Sequence, residues 1–221
     1  MMHDITKKRT RKDVELFRED TGITTSALSA PKLTLVMGYP GAGKTTLVRE
    51  FIKNSGLSFH HFCDKQAAWL MSDDGSTAIF GRWQGYHPDG KSALAGRLDG
   101  TDRIHGSGFT KCVNLLDVFV KQRVTHVIAE GFLLLKPTFV HEAERLGFDV
   151  RLYEIDVVDS TALDRFKARD GENAKLHRNH KRWARDRLRW KKYSTWKLAT
   201  SAEIVGEMMG GSKKAVPVAA S

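Results

Sequence analysis

The residues whose types and spacing carry the clearest chemistry lie in the stretch GYPGAGKTT, residues 38–46. Gly38, Gly43, Lys44 and Thr45 stand in the order G-x-x-x-x-G-K-T. In that pattern a glycine-rich turn aims successive backbone N–H groups at phosphate oxygens. Glycines at 38, 41 and 43 permit the turn, Pro40 and Ala42 complete it, and Thr46 follows in the first turn of a helix. Lys44 is placed to neutralise β- and γ-phosphate charge, and the Thr45 hydroxyl to ligate magnesium. The flanking sequence agrees. LTLVMGY before the loop reads as a buried parallel strand. After it, Leu47, Val48, Phe51 and Ile52 fall on one face of a helix that Gly56 stops. A glycine-rich turn that bound nothing would need none of this agreement. A bound nucleoside triphosphate, ATP with Mg2+, is therefore expected, although a cradle of this kind serves kinases, ATPases, GTPases and passive sensors alike.

Phosphate chemistry on such a loop commonly draws on a carboxylate at the end of a neighbouring strand. Val127, Ile128 and Ala129 deliver Glu130 to that edge in HVIAEG, where ligands of open α/β sheets bind. Glu130 is thus a candidate for magnesium or for substrate. Transfer to a hydroxyl also needs a group on that hydroxyl. Asp99, Asp102 and Arg103 gather in AGRLDGTDRIHGSG, where a carboxylate could take or orient the proton and the arginine could hold an anion bidentately. Asp-Gly is equally a turn signal, and Asp64, closing SFHHFCD, is a rival base.

A third group of residues is basic. In ENAKLHRNHKRWARDRLRWKKYSTWK a helix would set Arg178, Arg182, Arg185 and Arg189 on one stripe, with Leu176, Trp183, Arg187 and Trp190 broadly opposite. One face would dock on the rest of the chain. The other could close over triphosphate oxygens, follow a nucleic-acid backbone, or simply face water. Trp183, Trp190, Tyr193 and Trp196 could stack a base but more naturally pack. Arg165 and Arg169 share a face of the preceding helix. His177 and His180 lack a carboxylate or cysteine partner and read as surface histidines.

The elements that must position these groups alternate in type. SFHHFCD reads as a strand, and TAIFGRWQGYHPDGKSALAGRLDG as two strands about a His-Pro-Asp-Gly turn. Val113, Leu116, Phe119 and Val120 mark a helix, THVIAEG a strand, and KPTFVHEAERLG a helix with an early proline. DVRLYEID is a strand, and STALDRFKARDG a helix capped by Asp159 or Ser160. This β-α repetition predicts a parallel sheet with helices on both faces. With 221 residues, one α/β domain is expected over 32–209, with an arginine-rich segment at about 165–197. A basic extension is expected to precede it over 1–31, with RKDVELFRED read as helical, and a disordered tail to follow over 210–221. Cys63 and Cys112 are too few and too far apart for a disulfide framework, which suits a reducing cytoplasmic setting. The N-terminus lacks the apolar stretch of a secretion signal, and no apolar run is long enough for a membrane span. The formal net charge of +10 speaks to anionic partners, DNA among them, rather than to fold.

GYPGAGKTT, then AEGF, then Arg165 and Arg169 ahead of a basic segment, together resemble the P-loop nucleoside, nucleotide and polynucleotide kinase superfamily over roughly residues 32–200. The resemblance implies a P-loop kinase-like three-layer α/β/α fold, Mg-ATP as donor, direct in-line transfer, and a basic lid whose arginines meet the transferring group. IFGRWQGY followed by LDGTDR is similar to the bacteriophage 5-hydroxymethyluracil-DNA kinases. That likeness implies a hydroxymethyl acceptor within DNA, Asp102 at the acceptor hydroxyl, Arg103 close to substrate, and a host-cell cytoplasmic setting. The basic N-terminal arm and the long arginine-rich segment are not motifs of that family. Free nucleosides, nucleotides and polynucleotide 5′-hydroxyls remain alternative acceptors, and a DNA-binding ATPase that transfers nothing is an alternative of another class.

Overall fold

A computed structural model describes residues 29–63, 67–81, 83, 108–131, 134–170 and 174–210, without the side chains of 63, 108, 169, 170 and 174–180. Outside the described residues lie nearly all of the N-terminal extension, the tail from 211, the His-Pro-Asp-Gly turn, Asp64, Asp99, Asp102 and Arg103.

In chain order the elements are β1 (Lys32–Met37), α1 (Lys44–Asn54), β2 (Phe59–Cys63), β3 (Ala68–Ser72), β4 (Thr77–Phe80) and α2 (Gly108–Lys121). They continue with β5 (His126–Glu130), α3 (Pro137–Arg145), β6 (Asp149–Ile155), α4 (Asp159–Asp170), α5 (Ala174–Trp190), β7 (Trp196–Ala199) and α6 (Ser201–Met208). Seven strands form one sheet in the order β2-β3-β4-β5-β1-β6-β7. The sheet is not wholly parallel, as the β-α repetition had suggested. β3 runs against both neighbours, while β4, β5, β1, β6 and β7 are parallel. The reversal comes from SDDGS, residues 72–76, which turns β3 back into β4. One Asp74 carboxylate oxygen accepts from the Ser72 hydroxyl and the Ser76 N–H, and Gly75 takes φ 69°.

The sheet is covered on both faces. His126 on β5 meets Phe51 of α1 edge-on, whereas Phe80 on β4 packs on Phe119 of α2 and Phe139 of α3. Thr77 pairs with His126, so Phe80, three residues on, points to the other face. α6 lies beside α1, and α3 beside α2. This is the three-layer α/β/α arrangement expected from the sequence. β1 sits centrally, with Leu33, Leu35, Val36 and Met37 almost fully buried. Asp159 and Ser160, read as alternative caps, both stand inside the first turn of α4. Three elements had not been anticipated, the closing helix α6 among them. β3 is short, and β7 is an edge strand whose central Lys197 and Leu198 are exposed.

Strand alternation decides which way each end-of-strand residue faces. β1 and β5 pair Val36 with Glu130, and β1 and β6 pair Met37 with Glu154. Adjacent residues of one strand point to opposite faces. Glu130 therefore faces the α1 layer and Glu154 the α2–α3 layer, at one and the same edge of the sheet.

Candidate active site

The loop leaving β1 has the backbone its glycines predict. Gly38, Gly41 and Gly43 have φ 153°, 90° and 92°, a region that side-chain-bearing residues rarely enter. They serve different ends. A Cβ on Gly41 would stand 2.0 Å from the carbonyl oxygen of Ala162, so this glycine lets α4 rest directly on the loop. A Cβ on Gly43 would meet no atom within 4 Å. Gly43 precedes α1 with no side chain to cap it, and the first-turn N–H groups of a helix have no intrahelical acceptors. The mouth of the loop thus joins open space to a positive helix end, a combination that suits an anion.

Lys44 is buried, and its Nζ donates to the carbonyls of Gly38 (3.0 Å) and Tyr39 (3.1 Å). The ammonium is thereby held across its own loop. The Thr45 hydroxyl donates to Glu130 Oε1 at 3.4 Å, and Glu130 is only 3% exposed. A hydroxyl and a carboxylate are hard oxygen donors of the kind Mg2+ takes, one or two from the protein and the rest from water and phosphate. Among the described residues no cluster of three or more His, Cys, Asp or Glu could hold a metal ion. Pro40 and Ala42 are buried in the loop and Thr46 is exposed beyond it. The structure therefore brings Gly38, Gly43, Lys44, Thr45 and Glu130 together. Arg165 is exposed on α4, and Arg169 has no described side chain.

Around Tyr39 the structure assembles a group that sequence reasoning did not connect. Trp183 of α5, fully buried, meets the Tyr39 ring edge-on with centroids 5.9 Å apart. Arg187, one turn on, lies 6.0 Å from the same ring and places Nε 2.5 Å from Glu154 Oε1. Burial, then the Asp159 carboxylate, push the Tyr39 hydroxyl above the ordinary tyrosine range, against the lowering influence of Arg187. Burial likewise raises the Glu154 carboxyl, with Arg187 and Lys191 opposing. The expected apolar-aromatic face of α5 is thus real. Trp183 and Trp190 are both taken up in packing. Its one charged member, Arg187, reaches the edge of the sheet. Glu154, next to last in its apolar strand, carried a signal close to that of Glu130, but its partner stands on a helix that only packing brings to the sheet.

No family model and no curated protein matches the chain. Two kinases are among the similar solved structures. A gluconokinase from Sinorhizobium meliloti 1021 is 15% identical, with a TM-score of 0.44 over 83% of this chain and 92% of that one. A deoxyadenosine kinase from M. mycoides, solved with its products, is 14% identical, with a TM-score of 0.37 over 80% of this chain and 94% of that one. At these scores neither likeness adds to what the loop itself conveys. Among the described residues no helix is long and apolar enough to cross a membrane.

Proposed function

We propose that the protein is a P-loop phosphotransferase that moves the γ-phosphoryl group of Mg-ATP to an alcohol, the hydroxymethyl group of 5-hydroxymethyluracil in DNA. The observation that carries the first half is the Lys44 ammonium drawn across the loop beside the Thr45–Glu130 pair. In this reading the loop amides and Lys44 hold the β- and γ-phosphates. Thr45 would hold the magnesium, with Glu130 fixing the Thr45 hydroxyl or orienting a water beside it. The bound metal supplies charge neutralisation on the transferring group. Arg165 and Arg169 stabilise that group from α4. Asp102 accepts the hydroxyl proton as the acceptor oxygen bonds to phosphorus and the bond to the β–γ bridging oxygen breaks. ADP and a phosphate ester are the products. Asp99 and Arg103 would orient the acceptor. For DNA as the acceptor, the support is the likeness of IFGRWQGY and LDGTDR to the 5-hydroxymethyluracil-DNA kinases, together with a net charge of +10 that a free nucleoside does not call for.

The test offers γ-labelled ATP with hydroxymethylated duplex DNA, unmodified DNA and free nucleosides in parallel, with Lys44→Ala as the inactive control. Label on the hydroxymethylated duplex alone is the expected result. Label on free nucleosides alone would refute the DNA reading, label on DNA termini would assign a polynucleotide 5′-hydroxyl kinase, and hydrolysis without transfer would leave an ATPase.

A further inference from the structure

We infer that the outward face of α5 is a docking surface for the phosphodiester backbone of duplex DNA. The inference rests on the DNA reading above and names the surface that would serve it. At about 100° per residue, Lys181, Arg182, Arg185 and Arg189 fall within about 100° of arc, and all four are exposed. Trp183, Arg187 and Trp190 occupy an arc centred on the other side, and both tryptophans are buried. The whole helix carries one acid, Asp186. Asp186 Oδ1 lies 3.3 Å from Arg185 Nε and Oδ2 3.6 Å from Arg182 Nε, so it offsets part of the charge and leaves the face strongly positive.

Three observations select the partner. The apolar side of α5 is already consumed against Tyr39 and the sheet; among its described side chains the one large apolar group left exposed is Leu188, and a single leucine is not the apolar face an interfacial helix requires. Arg185 lies about 160° around the helix from Trp183, so it points away from the phosphate loop and is not a ligand of the triphosphate in this arrangement. And three of the four cations are guanidiniums, whose planar forks match phosphate oxygens in pairs. Because Trp183 fastens α5 to Tyr39, a duplex lying on the outward face would pass about one helix diameter, roughly 10 Å, from the phosphate loop.

The experiment measures binding of a fluorescent 30-base-pair duplex by anisotropy over a salt series, for the full chain and for Arg185→Gln/Arg189→Gln. Each lost phosphate contact should flatten the slope of log affinity against log salt by about 0.9. The double variant should therefore lose roughly two units of slope and on the order of tenfold in affinity near physiological salt. Fluorescent-ATP binding and melting temperature should not move, and Lys44→Ala should bind the duplex as the parent does. Those readouts separate loss of this surface from failure of the phosphate-loop reading. Unchanged slope and affinity in the double variant would overturn the inference. So would equal or tighter capture, by the same arginines, of a polyglutamate peptide, a duplex RNA of the same length or vesicles of anionic lipid.

Discussion

Replacing Arg187 with methionine should destabilise the protein out of proportion to the side chain's size. Glu154 is 2% exposed, and its Oε2 makes no hydrogen bond. Its nearest compensation is the guanidinium 2.5 Å from Oε1, with Lys191 adding less. Removing one partner of a buried ion pair leaves an uncompensated charge, at a cost of about 3–5 kcal/mol. For a chain of this length that is a fall of roughly 6–20 °C in melting temperature. The sign with pH follows from Glu154. Burial already raises its carboxyl above the ordinary value, and Arg187 opposes that rise. Without Arg187 the folded-state value climbs further above the unfolded one. A raised acid favours folding only while it is protonated, so the variant's stability is retained below the unfolded value near 4.5 and lost as pH rises through the folded value. The deficit against the parent should therefore be small at acid pH and full at pH 7.5. Arg187→Met/Glu154→Leu should recover most of it, since an apolar replacement of both partners is often neutral. The assay is thermal and urea unfolding of the parent, both single variants and the double variant across pH. A deficit under about 1 kcal/mol at pH 7.5, or one that does not change with pH, would refute the reasoning. Because Arg187 and Trp183 also brace Tyr39, whose carbonyl accepts from Lys44, the variant's KM for ATP should rise as well.

Gly41→Ala should abolish nucleotide binding and cost at least about 2 kcal/mol, because its Cβ would stand 2.0 Å from a backbone oxygen at φ 90°; fluorescent-ATP titration checks this, and parent-like affinity would show that α4 moves freely off the loop. Glu130→Gln should leave the fold intact but raise several-fold the Mg2+ concentration for half-maximal activity, while an unchanged metal titration would remove Glu130 from the metal's surroundings. His126 is buried against Thr34 (Nε2 to Oγ1 2.9 Å), and burial, with Lys32 and Arg151 adding, lowers it from 6.5 to about 4. Its depressed value makes the folded state disfavour the proton, so stability should fall as pH drops from 6.5 towards 4, by about 3 kcal/mol at about 1.4 kcal/mol per pH unit. Urea unfolding of the parent and His126→Gln checks it, and identical acid profiles would assign the loss elsewhere.

What was legible in the sequence was what is local in it. GYPGAGKTT encodes its own turn, and the apolar run before Glu130 says which end of the sheet it reaches. SDDGS contained the reversal of β3, but the short apolar run before it did not announce a strand. β7 escaped because an edge strand with Lys197 outward lacks a buried strand's composition. The link between Glu154 and Arg187 was unreadable for another reason. Each residue fits its own element, an acid at a strand end and a cation on a helix, and only packing α5 on the sheet makes them partners. Asp99, Asp102 and Arg103, the candidates proposed for the acceptor side, stand where the sequence alone still speaks for them.

The central place of β1 has a consequence for how the protein comes into being. Both neighbours of the strand that carries the phosphate loop are supplied late in the chain, by His126–Glu130 and Asp149–Ile155. During synthesis the glycine loop emerges early and waits as an unpaired apolar segment until most of the chain has followed. Such non-local strand pairing is slow to form. Closing the centre of the sheet, rather than forming any one helix, is therefore the step at which the nascent chain first acquires a rigid phosphate cradle.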